Sequence, residues 1–122
     1  MADAKANDPA GVELTVAVPK LSAHIPGFIP LEPVQSGYID DLKKRMQDVT
    51  SQDGPAPNVS GASGTRRFTA QGKDSKGDRK LDVALLVKGD RLYILTAEAP
   101  AKEFDKAKGA LDLALSSWKW GN

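Results

Sequence analysis

Apolar and polar residues alternate near the start of the chain and predict a strand over residues 12–18. Its apolar side chains recur at every second position and so share one face, as in a half-buried strand. They are Val12, Leu14, Val16 and Val18. Pro19 ends the strand because proline has no amide hydrogen to donate to a ladder. The polar residues 1–10 are expected to form a flexible N-terminus outside a single domain over residues 11–122.

A proline-rich stretch and then a helical pattern follow this strand. Three prolines lie so close together in residues 21–34 that we expect an ordered loop there rather than a helix. Apolar positions spaced by three and four residues then predict a helix from Tyr38 to about Ser51, with Ser36 as its cap. The apolar face of this helix consists of Ile39, Leu42, Met46 and Val49.

Strands separated by turns are predicted in the second half of the chain. Turn-forming residues make 51–64 a linker, and residues 66–71 are predicted to form a strand centred on Phe68. The polar residues 72–78 have the composition of a hairpin tip. This hairpin leads into residues 81–88, the most apolar strand of the sequence.

The best hairpin joins residues 81–88 to residues 92–97 through a short reversal at Lys88–Arg91. The first of these strands is apolar at nearly every position, and a strand buried on both faces needs cover on both sides. The sequence therefore predicts an α+β fold in which an antiparallel sheet is sandwiched between helices.

The last helix begins after Pro100, and one apolar stripe runs along it. The stripe consists of Phe104, Ala107, Leu111, Ala114, Leu115 and Trp118. Gly109 costs this helix about 1 kcal/mol relative to alanine, and we expect it to let the helix approach the sheet closely. Because Trp120 lies only two residues beyond Trp118, the two rings cannot both face the stripe. We expect one to cap the core and the other to be exposed.

Composition limits the chain to one small domain and excludes several kinds of site. A chain of 122 residues and 13.0 kDa has room for one core. Its formal charge of +1 argues against a general nucleic-acid binder or a membrane-surface polycation. It has no cysteine, which excludes disulfides and cysteine-based metal sites. No apolar run approaches the ~20 residues that a membrane-spanning helix needs.

No catalytic set can be assembled from the sequence, so its residues by themselves predict neither an enzyme nor a site for a cofactor or metal. His24 is the single histidine, and no serine or carboxylate motif accompanies it. Residues 61–73 are superficially similar to a phosphate loop. They do not match its motif, because Asp74 follows Lys73 where a serine or threonine is needed. Residues 74–78 miss the calcium-loop pattern because a lysine falls among the candidate ligands.

A local excess of positive charge makes residues 64–80 a candidate partner-binding site. Six basic residues stand against two acidic ones there, an excess of four. The basic residues are Arg66, Arg67, Lys73, Lys76, Arg79 and Lys80. They could dock an acidic partner, or they could be the solvated face of a hairpin that charge keeps soluble. The sequence favours the second interpretation.

The segment over residues 80–118 resembles the C-terminal half of the PsbP family, the extrinsic proteins of photosystem II and their bacterial relatives. An apolar strand and a charged, glycine-containing turn precede a Leu-Tyr-x-Leu-x-Ala-x-Ala-Pro motif and a helix. The matching residues are Leu92, Tyr93, Leu95, Ala97, Ala99, Pro100, Phe104, Lys108, Ser117 and Trp118. The resemblance implies the α/β/α sandwich that also occurs in Ran-binding Mog proteins and in chaperones of type VI secretion effectors.

The resemblance also implies a function. It indicates a non-enzymatic extrinsic binding or assembly protein with a protein partner, associated with photosystem II or another membrane complex. The expected setting is the thylakoid lumen or the periplasm, with the leader not present in this chain, and calcium binding belongs to the same expectation. The alternative is a cytosolic chaperone or adaptor of the same fold, which would bind an apolar partner segment.

The family usually opens with a hairpin that has no counterpart before residues 12–18. Without that hairpin, the sheet would have an unpaired edge there, and exposed edges invite pairing with another chain. We therefore expect a homodimer or a strand supplied by a partner, unless residues 1–10 or the proline-rich loop cover the edge.

Overall fold

A six-stranded antiparallel sheet forms the centre of the structure and two helices pack on it, which confirms an α+β fold. The computed structural model describes residues 4–7, 12–18, 30–89, 91–118 and 120. The strands are β1 (Ala4–Asn7), β2 (Glu13–Ala17), β3 (Gln47–Gly54), β4 (Gly64–Asp74), β5 (Gly77–Lys88) and β6 (Arg91–Pro100). The helices are α1 (Leu31–Arg45) and α2 (Phe104–Ser116). The strand order is β1-β2-β6-β5-β4-β3.

Strands β4, β5 and β6 form the two hairpins that the sequence predicts. Asp74 pairs with Gly77 across the first turn, and Lys88 pairs with Arg91 across the second. Pro100 is the last residue of β6, and α2 follows after a single 3-10 turn. The last strand therefore ends at Pro100, as predicted from the fact that proline has no amide hydrogen to donate.

Strand β5 lies inside the sheet and divides its side chains between two apolar clusters. One cluster contains Leu81, Val83, Leu85 and Val87 of β5 with Leu42 of α1 and Met46, the residue after α1. The other contains Ala84 and Leu86 of β5 with Ala107 and Leu111 of α2. Because successive side chains of a strand point to opposite faces, α1 and α2 pack on opposite faces of the sheet. We call these the α1 face and the α2 face.

Helix α1 begins earlier than the sequence predicts. It starts at Leu31, and Pro33 lies in its first turn. The first turn of a helix tolerates proline because amide hydrogens there have no partner inside the helix. The expected loop is therefore wrong from residue 31 onward, and Ser36 lies within the helix instead of capping it. The part of that loop over residues 21–29 lies outside the described residues.

Helix α1 also ends earlier than predicted, because the chain turns into strand β3 after Arg45. Asp48 has a φ of 54°, at an irregularity in the pairing of β3 with β4. Met46 and Val49 still pack into the α1-face cluster. The helical spacing therefore predicted that they pack in the core, but it was wrong about their backbone conformation, which is not helical. Strand β3 also replaces the start of the linker expected at residues 51–64, since its polar sequence lacks the alternation that predicts strands.

Strand β1 covers the side of residues 12–18 that was expected to be an unpaired edge of the sheet. It pairs antiparallel with β2, from Ala4 opposite Val16 to Asn7 opposite Glu13. The expected flexible N-terminus is therefore corrected for residues 4–7, and β2 is an inner strand of the sheet. The outer backbone groups of β2 need hydrogen-bond partners, and a four-residue strand supplies them without any periodic pattern of its own.

Both C-terminal tryptophans pack against the α2 face, which corrects the expectation of one exposed ring. The rings of Trp118 and Trp120 lie roughly perpendicular to that of Tyr93, with centroids 5.6 Å and 5.3 Å from it. Helix α2 ends at Ser116, so both tryptophans lie beyond it. The rule that helix residues two apart point in different directions therefore does not apply to them. Trp120 Nε1 donates a hydrogen bond of 2.8 Å to the carbonyl of Ser60, which attaches the C-terminal segment to the loop before β4.

Replacing Gly61 by alanine is expected to lower the free energy of unfolding by about 1–3 kcal/mol. Gly61 has a φ of +86°, and a Cβ there would lie 2.8 Å from Trp120 Nε1. The ring would have to move, which breaks its hydrogen bond and its packing on Tyr93. Urea unfolding measures the loss, and a red shift of the tryptophan emission reports the displaced ring.

Gly109→Ala is the matched control, and it is expected to raise the free energy of unfolding by about 0.5–1 kcal/mol. Gly109 is exposed on α2, and a Cβ there would meet nothing within 4 Å. The close approach to the sheet that the sequence suggested at this glycine is therefore wrong. A neutral Gly61→Ala variant or a destabilised Gly109→Ala variant would contradict this account.

Candidate functional site

Helix α2 covers only part of the α2 face. It packs over β6, β5 and β2, where small side chains such as Ala84 and Ala97 allow it to lie close. Strands β4 and β3 are the next two in the sheet, beyond β5. Their side chains on this face therefore lie beside the helix rather than beneath it.

Strand register arranges these side chains in three rows across β3, β4 and β5. The rows are Thr50, Gln71 and Lys80; Gln52, Thr69 and Asp82; and Gly54, Arg67 and Ala84. Residues directly opposite in antiparallel strands share a face. Ala84 contacts α2 residues in its cluster, so all three rows belong to the α2 face.

Two neighbouring cavities lie over these rows. The larger has a volume of about 430 Å³ and is bounded by residues 52–57, Thr69, Asp82 and Lys108. The smaller has a volume of about 150 Å³ and lies over the first row; it shares Gln52 and Thr69 with the larger one. We call them together the α2 groove. Its floor is the first two rows with Gly54 and Arg67 of the third, Lys108 of α2 lies at its side, and residues 55–57 close one end.

A hydrogen bond holds the closed end of the α2 groove in place. Thr65 Oγ1 donates to the carbonyl of Pro57 at 2.7 Å. A few residues further on, the amide of Ser63 donates to the carbonyl of Val87 at 2.7 Å. The loop between β3 and β4 is therefore fixed to the sheet at both bonds, and its prolines form a defined wall.

Arg67 lies at the floor of the α2 groove with its charge neutralised by two carboxylates. Its Nη2 and Nε donate to the two carboxylate oxygens of Asp82 at 2.6 Å and 3.0 Å. Its Nη1 lies 2.7 Å from Asp112 Oδ1, on helix α2. The hydrogen bonds to Asp82 raise the pKa of Arg67 above its ordinary value, so the guanidinium stays charged. This arrangement ties α2 to β4 and β5.

The carboxylate of Asp53, beside the α2 groove along β3, faces α1 and is engaged there, whereas the two lysines of the groove have no carboxylate partner. Asp53 Oδ1 accepts a hydrogen bond of 2.7 Å from Gln35, and Asp53 Oδ2 lies 3.7 Å from Arg66. Lys80 Nζ lies 5.1 Å from the centre of the Phe104 ring, a cation–π contact that leaves its charge uncompensated. Within the part of the chain that the structure describes, neither Lys80 nor Lys108 pairs with a carboxylate.

The structure does not bring the six basic residues of the sequence prediction into one patch. On the α1 face, Arg66 contacts Asp53, and Arg79 is buried with its Nε 3.2 Å from Glu98. On the α2 face, Arg67 is neutralised and Lys80 lies in the α2 groove. The other two, Lys73 and Lys76, are exposed near the hairpin turn. Binding of a partner by these six residues stays a prediction.

Sequence reasoning missed the hydrogen-bonding floor of the α2 groove and Lys108 at its side. A signal was present, since the triplet Thr-x-Gln occurs at residues 50–52 and again at residues 69–71. Antiparallel register places each threonine of one triplet opposite a glutamine of the other. Lys108 carried no such signal, because nothing in the helical pattern shows that it faces β4.

The residues considered for metal or catalytic chemistry do not form a site in the described part of the chain. His24 lies outside the described residues. Among those described, no group of three or more His, Cys, Asp or Glu side chains is placed to hold a metal ion, so calcium binding has no support here. No helix within the described ranges has the length and apolar character needed to cross a membrane.

These features define an α+β domain with an antiparallel sheet and a polar groove beside its C-terminal helix. A similar solved structure is that of PA94 from Pseudomonas aeruginosa, described as a protein of unknown function and a proposed regulator. The two agree with a TM-score of 0.72 at 13% sequence identity, over 99% of this chain and 83% of the other. At that identity the likeness shows the fold alone. Protein-family models and curated proteins give no match to the sequence.

Proposed function

We propose that this domain is a non-enzymatic binding or assembly protein of the PsbP type, which holds a segment of a protein partner in the α2 groove. The observation that carries the proposal is the floor of the groove. Thr50, Gln52 and Gln71 are exposed there, and no group in the described part of the chain makes a hydrogen bond to their side chains. Such groups, aligned beside a fixed wall, suit the polar backbone and side chains of a bound segment.

The setting of this function is proposed from the resemblance of residues 80–118 to the PsbP family. A helix on each face of an antiparallel sheet suits the α/β/α sandwich of that family, and we propose that arrangement for the whole chain. The partner would then be a subunit of photosystem II or of another membrane complex, met in the thylakoid lumen or the periplasm. Pairing of two copies stays part of the proposal, but through an outer strand of the sheet, β1 or β3, because β1 covers the edge at residues 12–18.

Site-specific photo-crosslinking tests this function. A benzophenone amino acid replaces Gln71 in the α2 groove, and in a control protein it replaces Lys44, which is exposed on α1. Each protein is irradiated with membranes of the source organism, and the adducts are identified by mass spectrometry. We expect a membrane-complex subunit to be crosslinked from position 71 and not from position 44. No adduct at position 71, or equal adducts at both positions, would overturn the proposal.

The alternative function is a cytosolic chaperone or adaptor of the same fold, which binds an apolar segment. One observation favours it: Leu113 on α2 is 69% exposed, a large apolar side chain without cover among the described residues. The same crosslinker in place of Leu113 separates the two functions. A secreted effector captured from position 113 would support the chaperone, whereas capture of a membrane-complex subunit from position 71 alone would exclude it.

A further inference from the structure

We infer that the segment bound in the α2 groove is an extended acidic peptide whose carboxylates contact Lys80 and Lys108. This inference rests on the proposed function and names the chemistry of its partner. It moves the binding role from the six basic residues of the hairpin to two lysines that the fold brings to one groove.

The balance of charge in the α2 groove favours an anionic ligand. Arg67 is matched by Asp82 and Asp112, and the carboxylate of Asp53 lies on the α1 face, where Gln35 and Arg66 engage it. The positive charges of Lys80 and Lys108 are therefore left without a carboxylate among the described residues. A carboxylate ligand would gain charge-assisted hydrogen bonds from both lysines, whereas a basic segment would meet like charge.

The next row of the sheet does not change this balance. Lys73 and Asp78 lie opposite each other across β4 and β5, so their charges offset one another. Lys106, on the same helix as Lys108, lies 3.2 Å from Glu103 and is already paired. Among the described charged side chains that line the α2 groove, Lys80 and Lys108 are thus the two without a carboxylate partner.

The floor of the α2 groove has the repeat of an extended chain. Successive rows lie two residues apart along a strand, which is a separation of about 6.6 Å. Alternate side chains of an extended peptide repeat at the same distance, so a peptide along the groove meets one row with each pair of residues. Thr50, Gln52 and Gln71 then offer hydroxyl and amide groups to its backbone, while a helical ligand would not match this spacing.

An NMR titration tests the inference with three synthetic peptides. The first alternates glutamate with serine, the second has glutamine in place of each glutamate, and the third has lysine. We expect the first peptide alone to shift the amide resonances of β3 and β4. Its affinity is expected to fall as ionic strength rises from about 0.01 M to about 0.1 M, because the Debye length falls from about 30 Å to about 10 Å.

Charge-removing variants identify the lysines. Lys80→Gln and Lys108→Gln are each expected to weaken binding of the glutamate peptide about tenfold, the effect of one charge-assisted hydrogen bond. Lys43→Gln and Lys44→Gln, on exposed positions of α1, are the matched controls and are expected to leave the affinity unchanged. Both sets change exposed or half-buried lysines, and the amide spectrum of each free variant verifies its fold.

Four outcomes would overturn the inference. The glutamate peptide could leave the spectrum unchanged, or it could bind equally well without Lys80 and Lys108. It could also shift only residues of the α1 face. If the glutamine or lysine peptide shifts β3 and β4 instead, the acidic chemistry is wrong but the groove still binds a segment. The crosslink from position 71 decides the proposed function separately, since it does not depend on the charge of the partner.

Discussion

Replacing Phe68 by alanine is expected to lower the free energy of unfolding by about 3–5 kcal/mol. The side chain is 0% exposed and lies at the centre of the α1-face cluster. Its ring meets that of Tyr38 edge to face, with the centroids 5.6 Å apart, so it joins α1 to the sheet. Truncation would leave a cavity at this junction that neither the helix nor the strand can close by itself. Urea unfolding followed by circular dichroism measures the change.

Leu113→Ala is the matched control for this prediction. It also removes a large apolar side chain, but Leu113 is 69% exposed on α2. Its expected effect is within about 0.5 kcal/mol of zero, as for other surface substitutions. A loss below about 1 kcal/mol for Phe68→Ala would show that α1 is not packed on the sheet as described.

The elements that could be predicted from the sequence have one dominant periodicity each. Strand β5 is apolar at nearly every position from Leu81 to Val87 because both faces of the sheet are covered there. Helix α2 carries a stripe of spacing three and four because one side of it meets the sheet. Pro100 and the turn at Lys88–Arg91 add backbone constraints at the boundaries between elements. Local pattern and tertiary environment agree in this half of the chain.

The boundary between α1 and β3 could not be predicted for a physical reason. Leu42, Met46 and Val49 all pack into the α1-face cluster, although the first lies on a helix and the last on a strand. Their spacing is compatible with continuous helix, so burial alone cannot show where the backbone changes. The positive φ of Asp48 marks that change, and aspartate carries only a weak preference for it.

The α2 groove depends on pairings between distant parts of the chain. Thr50 meets Gln71, and Gln71 meets Lys80, only because β3, β4 and β5 pair in this register. A shift of one residue would turn these side chains to the other face. The charge count over residues 64–80 missed this, because it sums residues that point to opposite faces of the sheet. It also left out Lys108, which reaches the α2 groove from another element.

Replacing Arg67 by methionine is expected to lower the free energy of unfolding by about 3–5 kcal/mol, because it leaves a buried carboxylate without its cation. The Asp82 side chain is 2% exposed, and Arg67 supplies both of its short hydrogen bonds. The same substitution releases Asp112 and with it a tie between α2 and β4. Urea unfolding gives the loss of stability. Asp112→Asn is the milder control, with an expected cost below about 1 kcal/mol, since that carboxylate is half exposed.

The double variant Arg67→Met with Asp82→Leu separates the cost of a stranded charge from the cost of lost packing. Two apolar side chains of similar volume need no hydrogen bonds, and replacing a whole buried ion pair in this way is often neutral or stabilising. We expect the double variant to recover to within about 1 kcal/mol of the original protein, although Arg67→Met alone is strongly destabilised. If the double variant is as unstable as the single one, the ion pair contributes through geometry that apolar side chains cannot replace. If Arg67→Met costs less than about 1 kcal/mol, Asp82 is not held as the structure shows, and the floor of the α2 groove is not fixed by this pair.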